Sequence, residues 1–217
     1  MSAAGVTLVG TLRRSPQAAV LAAALLGSAG FEAGAQGTAP RDDCAAAAGA
    51  VEQLVCKDAG LAALDRSLAR VLEQAAAALP PNAAEEQQVV QRGWIEVRNE
   101  CARSDDVRAC TDNAYRVRIA ELMIASGQAG TPKNASFDCG VGAKSFLARF
   151  YAGTDPASAV LRYGDEQTIA LAAPAASGTR YTASGVEFRE HQGMAVIDWY
   201  GERLECMPRT DAAFPPR

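Results

Sequence analysis

The stretch Ala176-Ser177-Gly178-Thr179-Arg180-Tyr181 decides how the carboxyl-terminal half of this chain is interpreted. A Ser-Gly pair opens a predicted strand, since glycine permits a tight turn with the serine exposed at its tip. His191, the single histidine of the chain, follows shortly after. Cys139 and Cys206 bracket the whole segment, so it belongs to a cysteine-bounded unit.

Around this stretch the sequence alternates between apolar and polar residues, with Gly or Asp between short runs. Many short strands with even turn spacing predict a small antiparallel β-barrel or sandwich over residues 135–208. Besides the strand with Arg180 and Tyr181, the runs are 136–139, 144–151, 159–163, 168–172, 186–190, 194–199 and 202–206. A disulfide from Cys139 on the first strand to Cys206 on the last would contribute about 4 kcal/mol in the chain-entropy model.

Residues 43–126 have a helical period instead. The first long helix has apolar residues at three- and four-residue steps, namely Leu61, Leu64, Leu68, Val71, Leu72, Ala75 and Leu79. Pro80-Pro81 ends it. A short helix over 49–56 precedes it, and a Gly- and Pro-containing linker over 127–134 follows the bundle.

Two further helices complete the predicted bundle. The second long helix is expected to turn one face inward, formed by Val90, Trp94, Val97 and Cys101. Ser104-Asp105-Asp106 offers an N-cap and an acidic first turn for the next helix. That helix carries the apolar residues Tyr115, Ile119, Leu122 and Met123. The predicted class is α+β, a disulfide-stapled helical bundle followed by a small antiparallel barrel.

The first 35 residues are predicted to be a signal peptide. Arg13-Arg14 precede an apolar run over 18–26, and Ala33-Gly34-Ala35 forms an A-x-A-like cleavage site. The run is shorter than the roughly 20 residues that cross a bilayer. A buried amino-terminal helix and twin-arginine export are the alternatives. We expect a periplasmic or secreted protein.

The net charge of the chain restricts the classes of partner that we expect. The net charge is −4, and removal of two arginines and one glutamate with the signal peptide leaves −5. This acidic balance argues against nucleic acid and anionic membranes as partners and suits a basic protein. No cysteine lies near the expected cut, so the sequence predicts no stable lipid anchor. The sequence does not indicate whether the protein is a monomer or an oligomer.

The six cysteines predict three disulfides in an oxidising compartment. Without a Cys-x-x-Cys spacing and with one histidine, we expect no metal site and no cofactor. Fifteen pairings are possible. Cys101 and Cys110 flank a connection between antiparallel helices, which favours that pair. Cys44 with Cys56 follows by elimination, and requires the chain near 45–48 to turn back.

Ser177, Gly178 and Tyr181 resemble the signature of the MliC/PliC-type inhibitors of c-type lysozyme, and Arg180 is also family-like. The resemblance implies a protein that blocks an enzyme and is not one itself. A c-type lysozyme uses two carboxylic residues, a proton donor and an ionised group. The family pattern implies a serine that hydrogen-bonds the acid and a lysine that pairs with the carboxylate.

One position departs from that family pattern. The lysine position falls on His191, and histidine is largely neutral at pH 7. Arg189, two positions earlier on the same strand face, is a substitute cation. The predicted lysozyme-binding set is Ser177, Gly178, Thr179, Arg180, Tyr181, Arg189 and His191. The alternative is that His191 is a surface histidine in a turn, without a role in inhibition.

The helical half resembles the LprI-type amino-terminal domain, a family linked to lysozyme inhibition. The matching segments are Cys44, 51–56, 61–65, 91–101, Cys110 and 118–122. Trp94 and Arg98 are either a contact surface or, respectively, a core residue and a member of a local ion pair.

The sequence leaves two other functions open. The first is a cell-envelope interaction module that has lost inhibition, which the missing lysine favours. The second is an enzyme using Ser177 and His191 with Asp198 or another carboxylate. Because Ser177 lies in no G-x-S-x-G elbow, the sequence argues against this enzyme.

Overall fold

The computed structural model describes Cys44, residues 47–140, Gly142 and residues 144–209. The predicted signal peptide and its cleavage site lie outside the described residues. The described chain forms four helices followed by an eight-stranded closed antiparallel barrel, which confirms the predicted α+β class.

The helices are α1 Ala50–Lys57, α2 Ala59–Ala78, α3 Pro81–Asn99 and α4 Val107–Ala125, with a 3₁₀ turn at Glu100–Arg103 before α4. Asp58 caps α2 by accepting a hydrogen bond from the backbone N–H of Leu61 at 2.9 Å. Asp106 caps α4 in the same way, through the N–H of Ala109. These caps begin the helices where the sequence provides an acidic side chain.

The core of the bundle lies between α2 and α4. The apolar stripe of α2 buries Leu61, Leu68, Val71 and Ala75, as the sequence predicts. On α4 the buried apolar residues include Tyr115, Ile119 and Leu122. Together they form one cluster, with Leu64, Leu72 and Leu79 packed at its margin.

The prediction for the inner face of α3 was wrong in part. Val90 is 42% exposed and Val97 is 69% exposed, whereas Gln91 and Arg98 are buried. The polar residues of α3 are buried because a buried guanidinium requires hydrogen-bond acceptors. The fully buried Arg118 of α4 donates to the side-chain oxygen of Gln91 at 3.0 Å, which turns the polar side of α3 inward.

A buried polar chain links three helices. Arg98 Nη1 donates to the Tyr115 hydroxyl at 2.8 Å, and that hydroxyl donates to Asp65 at 2.8 Å. The Arg98 guanidinium lies 5.4 Å from the ring centroid of Trp94. Burial raises the pKa of Tyr115 above its ordinary value. Trp94 and Arg98 therefore belong to the interior of the bundle, as in the second of their two interpretations.

Three disulfides join Cys44 to Cys56, Cys101 to Cys110, and Cys139 to Cys206. Helix α1 begins only at Ala50, and Ala47 N–H donates to the carbonyl of Cys44 at 3.3 Å. The Cα atoms of Cys44 and Cys56 lie only 5.6 Å apart.

The barrel strands run in chain order, each paired with the next: β1 Lys133–Asp138, β2 Phe146–Tyr151, β3 Ser158–Tyr163, β4 Glu166–Ala172, β5 Thr179–Ala183, β6 Val186–His191, β7 Met194–Trp199 and β8 Glu202–Pro208. Pairing of Phe137 with Pro208 and of Asp138 with Met207 closes the barrel. Cys139 follows β1 directly and does not lie on it.

Alternation along the strands fills the barrel with aromatic rings. Phe146 and Phe188 stack with their centroids 6.1 Å apart, and Trp199 meets Phe146 edge-on at 5.9 Å. Such pairs add to the stability gained by burying the rings. The polar end of Trp199 is also paired, since its Nε1 donates to Glu166 at 2.9 Å.

The connection from α4 to β1 is packed against the barrel. Ala129, inside the predicted linker, is buried with Tyr151 and Val160 on the outer wall of the barrel. Met123 and Ile124 from the end of α4 cover the same cluster. Among the helices that the structure describes, none is long and apolar enough to cross a membrane.

We expect Tyr115→Phe to lower the free energy of unfolding of the helical bundle by about 1–3 kcal/mol, because Arg98 and Asp65 lose a shared buried partner. Urea unfolding followed by far-ultraviolet circular dichroism measures this. Tyr200→Phe is the control, since Tyr200 is exposed. Equal stability of the two variants would contradict the role of the buried chain.

Candidate functional site

The loop with Ser177 joins β4 to β5 and lies against the end of β6. Gly178 has a φ of +69°, in the region that favours glycine. A Cβ atom there would overlap the carbonyl oxygen of Glu190 and lie 3.3 Å from the Cα of His191. Only glycine therefore allows this close approach, and Ser177 is exposed beside it.

The strand register brings the Ser177 loop and His191 to one edge of the barrel. Thr179 on β5 pairs with Glu190 on β6, so the next positions along this ladder are Gly178 and His191. His191 in turn pairs with Met194 across the β6–β7 turn. The sequence predicts both segments as binding residues, and the structure makes them neighbours.

Tyr181 points into the barrel. Its ring lies 5.2 Å from that of Phe150 and 6.5 Å from that of Phe188, measured between centroids. Desolvation raises the pKa of the Tyr181 hydroxyl. Its role here is to hold β5 in place, while the exposed Thr179 begins the strand at the edge.

Arg180 and Arg189 face outward, directly opposite each other on β5 and β6. Glu187 binds both, with Arg180 Nη2 at 2.8 Å from one carboxylate oxygen and Arg189 Nε in contact with the other. The hydrogen bond from Arg180 is the main cause of the lowered pKa of Glu187, and the charge of Arg189 also contributes. Both arginines are thus already paired within the barrel.

The structure does not bring Ser177, His191 and Asp198 together as a catalytic triad. Asp198 pairs with Glu187, whereas His191 pairs with Met194 four positions away along β7. At about 3.3 Å per residue the separation is about 13 Å, too far for a hydrogen bond. Asp198 instead accepts the backbone N–H of Gly201 at 2.9 Å.

A shallow depression of about 590 Å³ lies on the outer face of β5 to β8. Its lining includes Glu187, Arg189, Asp198, Tyr200 and Arg203, so charges of both signs meet there. Within the described residues, no group of three or more His, Cys, Asp or Glu side chains is arranged to hold a metal ion. The depression therefore offers a mixed polar surface.

Sequence reasoning missed two exposed side chains at the same edge. Met194 is 44% exposed and Met207 is 59% exposed. The alternation of apolar and polar residues along β7 and β8 could have identified them, because both methionines occupy outward positions of their strands. Their thioethers give this edge of the barrel a partly apolar surface.

The barrel matches the family model MliC, described as the membrane-bound lysozyme-inhibitor of c-type lysozyme, over residues 137–205. The chain is also 35% identical over 164 residues to the lipoprotein LprI of Mycobacterium tuberculosis and of Mycobacterium bovis. These alignments cover 76% of this chain and 82% of each relative. No solved structure matches the chain significantly. With this identity across both halves, the protein belongs to the LprI family and carries an MliC domain at its barrel.

Proposed function

We propose that this protein inhibits a c-type lysozyme by placing the Ser177 loop and the His191 hairpin in the catalytic cleft of the enzyme. The MliC match and the LprI relatives support lysozyme inhibition in general. The observation that carries the finer proposal is the contact of Gly178 with the backbone of Glu190 and His191. It makes a hydroxyl and an imidazole adjacent parts of one exposed edge.

The chemistry of the cleft suits these two groups. One enzyme carboxyl is protonated and the other ionised, so a plug must offer one hydrogen-bonding group and one cation. The Ser177 hydroxyl serves the first, and a protonated His191 serves the second. Because Arg180 and Arg189 share Glu187, we assign the cation to His191 and not to Arg189.

The overall charge supports a basic partner. The chain carries 25 acidic and 21 basic residues, and opposite net charges speed association at low salt. We infer that the protein is not an enzyme, because its family match is to an inhibitor and Asp198 lies about 13 Å along the barrel from the position of His191.

We infer a location in the cell envelope. The relatives are named lipoproteins, and the matched family is described as membrane-bound. These descriptions and the predicted signal peptide all imply a protein that is exported from the cytoplasm. We further propose that this protein, unlike its lipoprotein relatives, carries no lipid anchor, as the sequence predicts. Fractionation of cells producing the protein, with and without detergent, tests it.

A second candidate function is an envelope interaction module without inhibition. The exposed Val89, Val90 and Val97 of α3 favour it, since an apolar helix surface in solvent is typical of binding faces. Titration of lysozyme activity with the purified protein separates the candidates. Full enzyme activity at a large excess of the protein would leave the interaction module as the better one.

We expect Ser177→Ala to weaken inhibition by about tenfold, the loss of one hydrogen bond to a carboxyl in a desolvated cleft. The inhibition constant for a c-type lysozyme measures it. Ser184→Ala is a matched control, because Ser184 also precedes a glycine of positive φ, Gly185 at +72°, at the other end of β5. If both variants inhibit like the wild type, Ser177 does not enter the cleft.

We expect Gly178→Ala to weaken inhibition more than Gly193→Ala. Both glycines have positive φ, +69° and +78°, so an alanine is strained at either. Only at Gly178 does the added Cβ meet the neighbouring strand, since nothing lies within 4 Å of it at Gly193. The same inhibition assay compares them, with circular dichroism as the check on folding. Equal losses in two folded variants would show that the loop's close approach is unimportant.

Inhibition is expected to strengthen as pH falls from about 7.5 to about 6, because histidine gains its proton in this range. Glu187 does not contribute, since its arginine partners lower its pKa and it stays ionised throughout. Inhibition constants across this range measure the effect, stopping before the enzyme's own carboxylates protonate.

Two variants at one position test the assignment. His191→Lys should inhibit more strongly at pH 7.5 and lose the pH dependence, whereas His191→Ala should inhibit weakly throughout. A pH-independent wild type together with an unaffected His191→Ala would remove His191 from the site.

A further inference from the structure

A row of neighbouring positions crosses the barrel edge from the Ser177 loop. Gly178 lies opposite His191, and His191 pairs with Met194. Ala195 pairs with Cys206, so Met194 and Met207 are opposite each other at the next position of that ladder. Cross-strand neighbours share one face of a sheet, so the two thioethers continue the surface that begins with Gly178 and His191.

The row ends at an ion pair. Met207 pairs with Asp138 on β1, and Asp138 accepts a hydrogen bond from Arg209 at 3.1 Å. The N–H of Gly140 and the Arg209 guanidinium lower the pKa of Asp138. A charged pair thus borders the two methionines on one side and His191 borders them on the other. An apolar centre with a polar border is the usual anatomy of a protein contact surface.

We propose that Met194 and Met207 form the apolar part of the lysozyme contact and make it sensitive to oxidants. The inference rests on the proposed function, and its occupant is the same enzyme, because the row is continuous with the Ser177 loop. Methionine suits such a surface, since its flexible thioether adapts to an uneven partner. The remaining described methionine, Met123, lies half-buried in the helical part.

The oxidation step requires a peroxide as co-reactant. The thioether sulfur attacks one peroxide oxygen, an S–O bond forms, and the O–O bond breaks. The sulfur is oxidised by two electrons to the sulfoxide. The leaving hydroxide takes up the proton of the transferred oxygen, so hydrogen peroxide is reduced to water. The sulfoxide is polar and accepts hydrogen bonds, so burying it against the enzyme is unfavourable unless it finds a donor.

The first experiment maps the contact without relying on activity. The protein is treated with hydrogen peroxide alone and with an excess of c-type lysozyme, and oxygen addition is located by peptide mass spectrometry. We expect Met194 and Met207 to oxidise readily in the free protein and at least fivefold more slowly in the complex. Equal oxidation in a complex shown to have formed would overturn the contact.

The second experiment measures the consequence. Oxidation at both positions should raise the inhibition constant roughly tenfold, and treatment with methionine sulfoxide reductases of both stereospecificities should restore it. The double variant M194L/M207L should show the same inhibition constant before and after peroxide, whatever its starting value. Met123→Leu is the control and should keep the full peroxide effect.

The outcomes separate the two proposals. A wild type that inhibits equally well before and after oxidation at both sites overturns the oxidant sensitivity and leaves the Ser177 plug intact. A peroxide effect that persists in M194L/M207L places the sensitive group elsewhere and also overturns it. If the untreated protein does not inhibit lysozyme at all, the proposed function itself fails.

Discussion

The ladder between β5 and β6 is the constraint on which the rest of the site depends. Pairing of Thr179 with Glu190 sets which side chains face outward and which loop meets which turn. A slip of one residue would move Tyr181 out of the barrel and Arg180 into it. Gly178 fixes the same register, since any side chain there would collide with β6. One backbone contact thus positions a loop, a hairpin and an ion pair together.

The helical half depends on a different kind of constraint. Arg98 and Arg118 lie within the bundle and must be satisfied there, because an unpaired buried charge is costly. Each has a partner on another helix as well as on its own, and Tyr115 and Gln91 supply the oxygens from the other helices. The result is a helix, α3, that hides polar groups and exposes valines. The same inversion creates the apolar surface that distinguishes the second candidate function from the first.

Charge at the candidate site is distributed unequally. Glu187 pairs with two arginines, so each of them already has a carboxylate partner within the barrel. His191 lies beyond this network, at the turn next to the Ser177 loop. Replacement of a permanent cation by histidine would make the affinity depend on pH, and two adjacent methionines would make it depend on oxidants. Both of these proposed properties would arise at the same edge of the barrel.

The sequence by itself determined the helices and the strands and pointed to the segment proposed to carry the site, because each depends on local periodicity, capping and turn residues. It also identified the families, through short motifs that lie close together along the chain. Tertiary structure alone decided which side of α3 is buried, that Glu187 pairs with both arginines, and that Met194 and Met207 extend the edge at His191. Those features join residues from separate elements, and no periodicity along one segment records its partners on another.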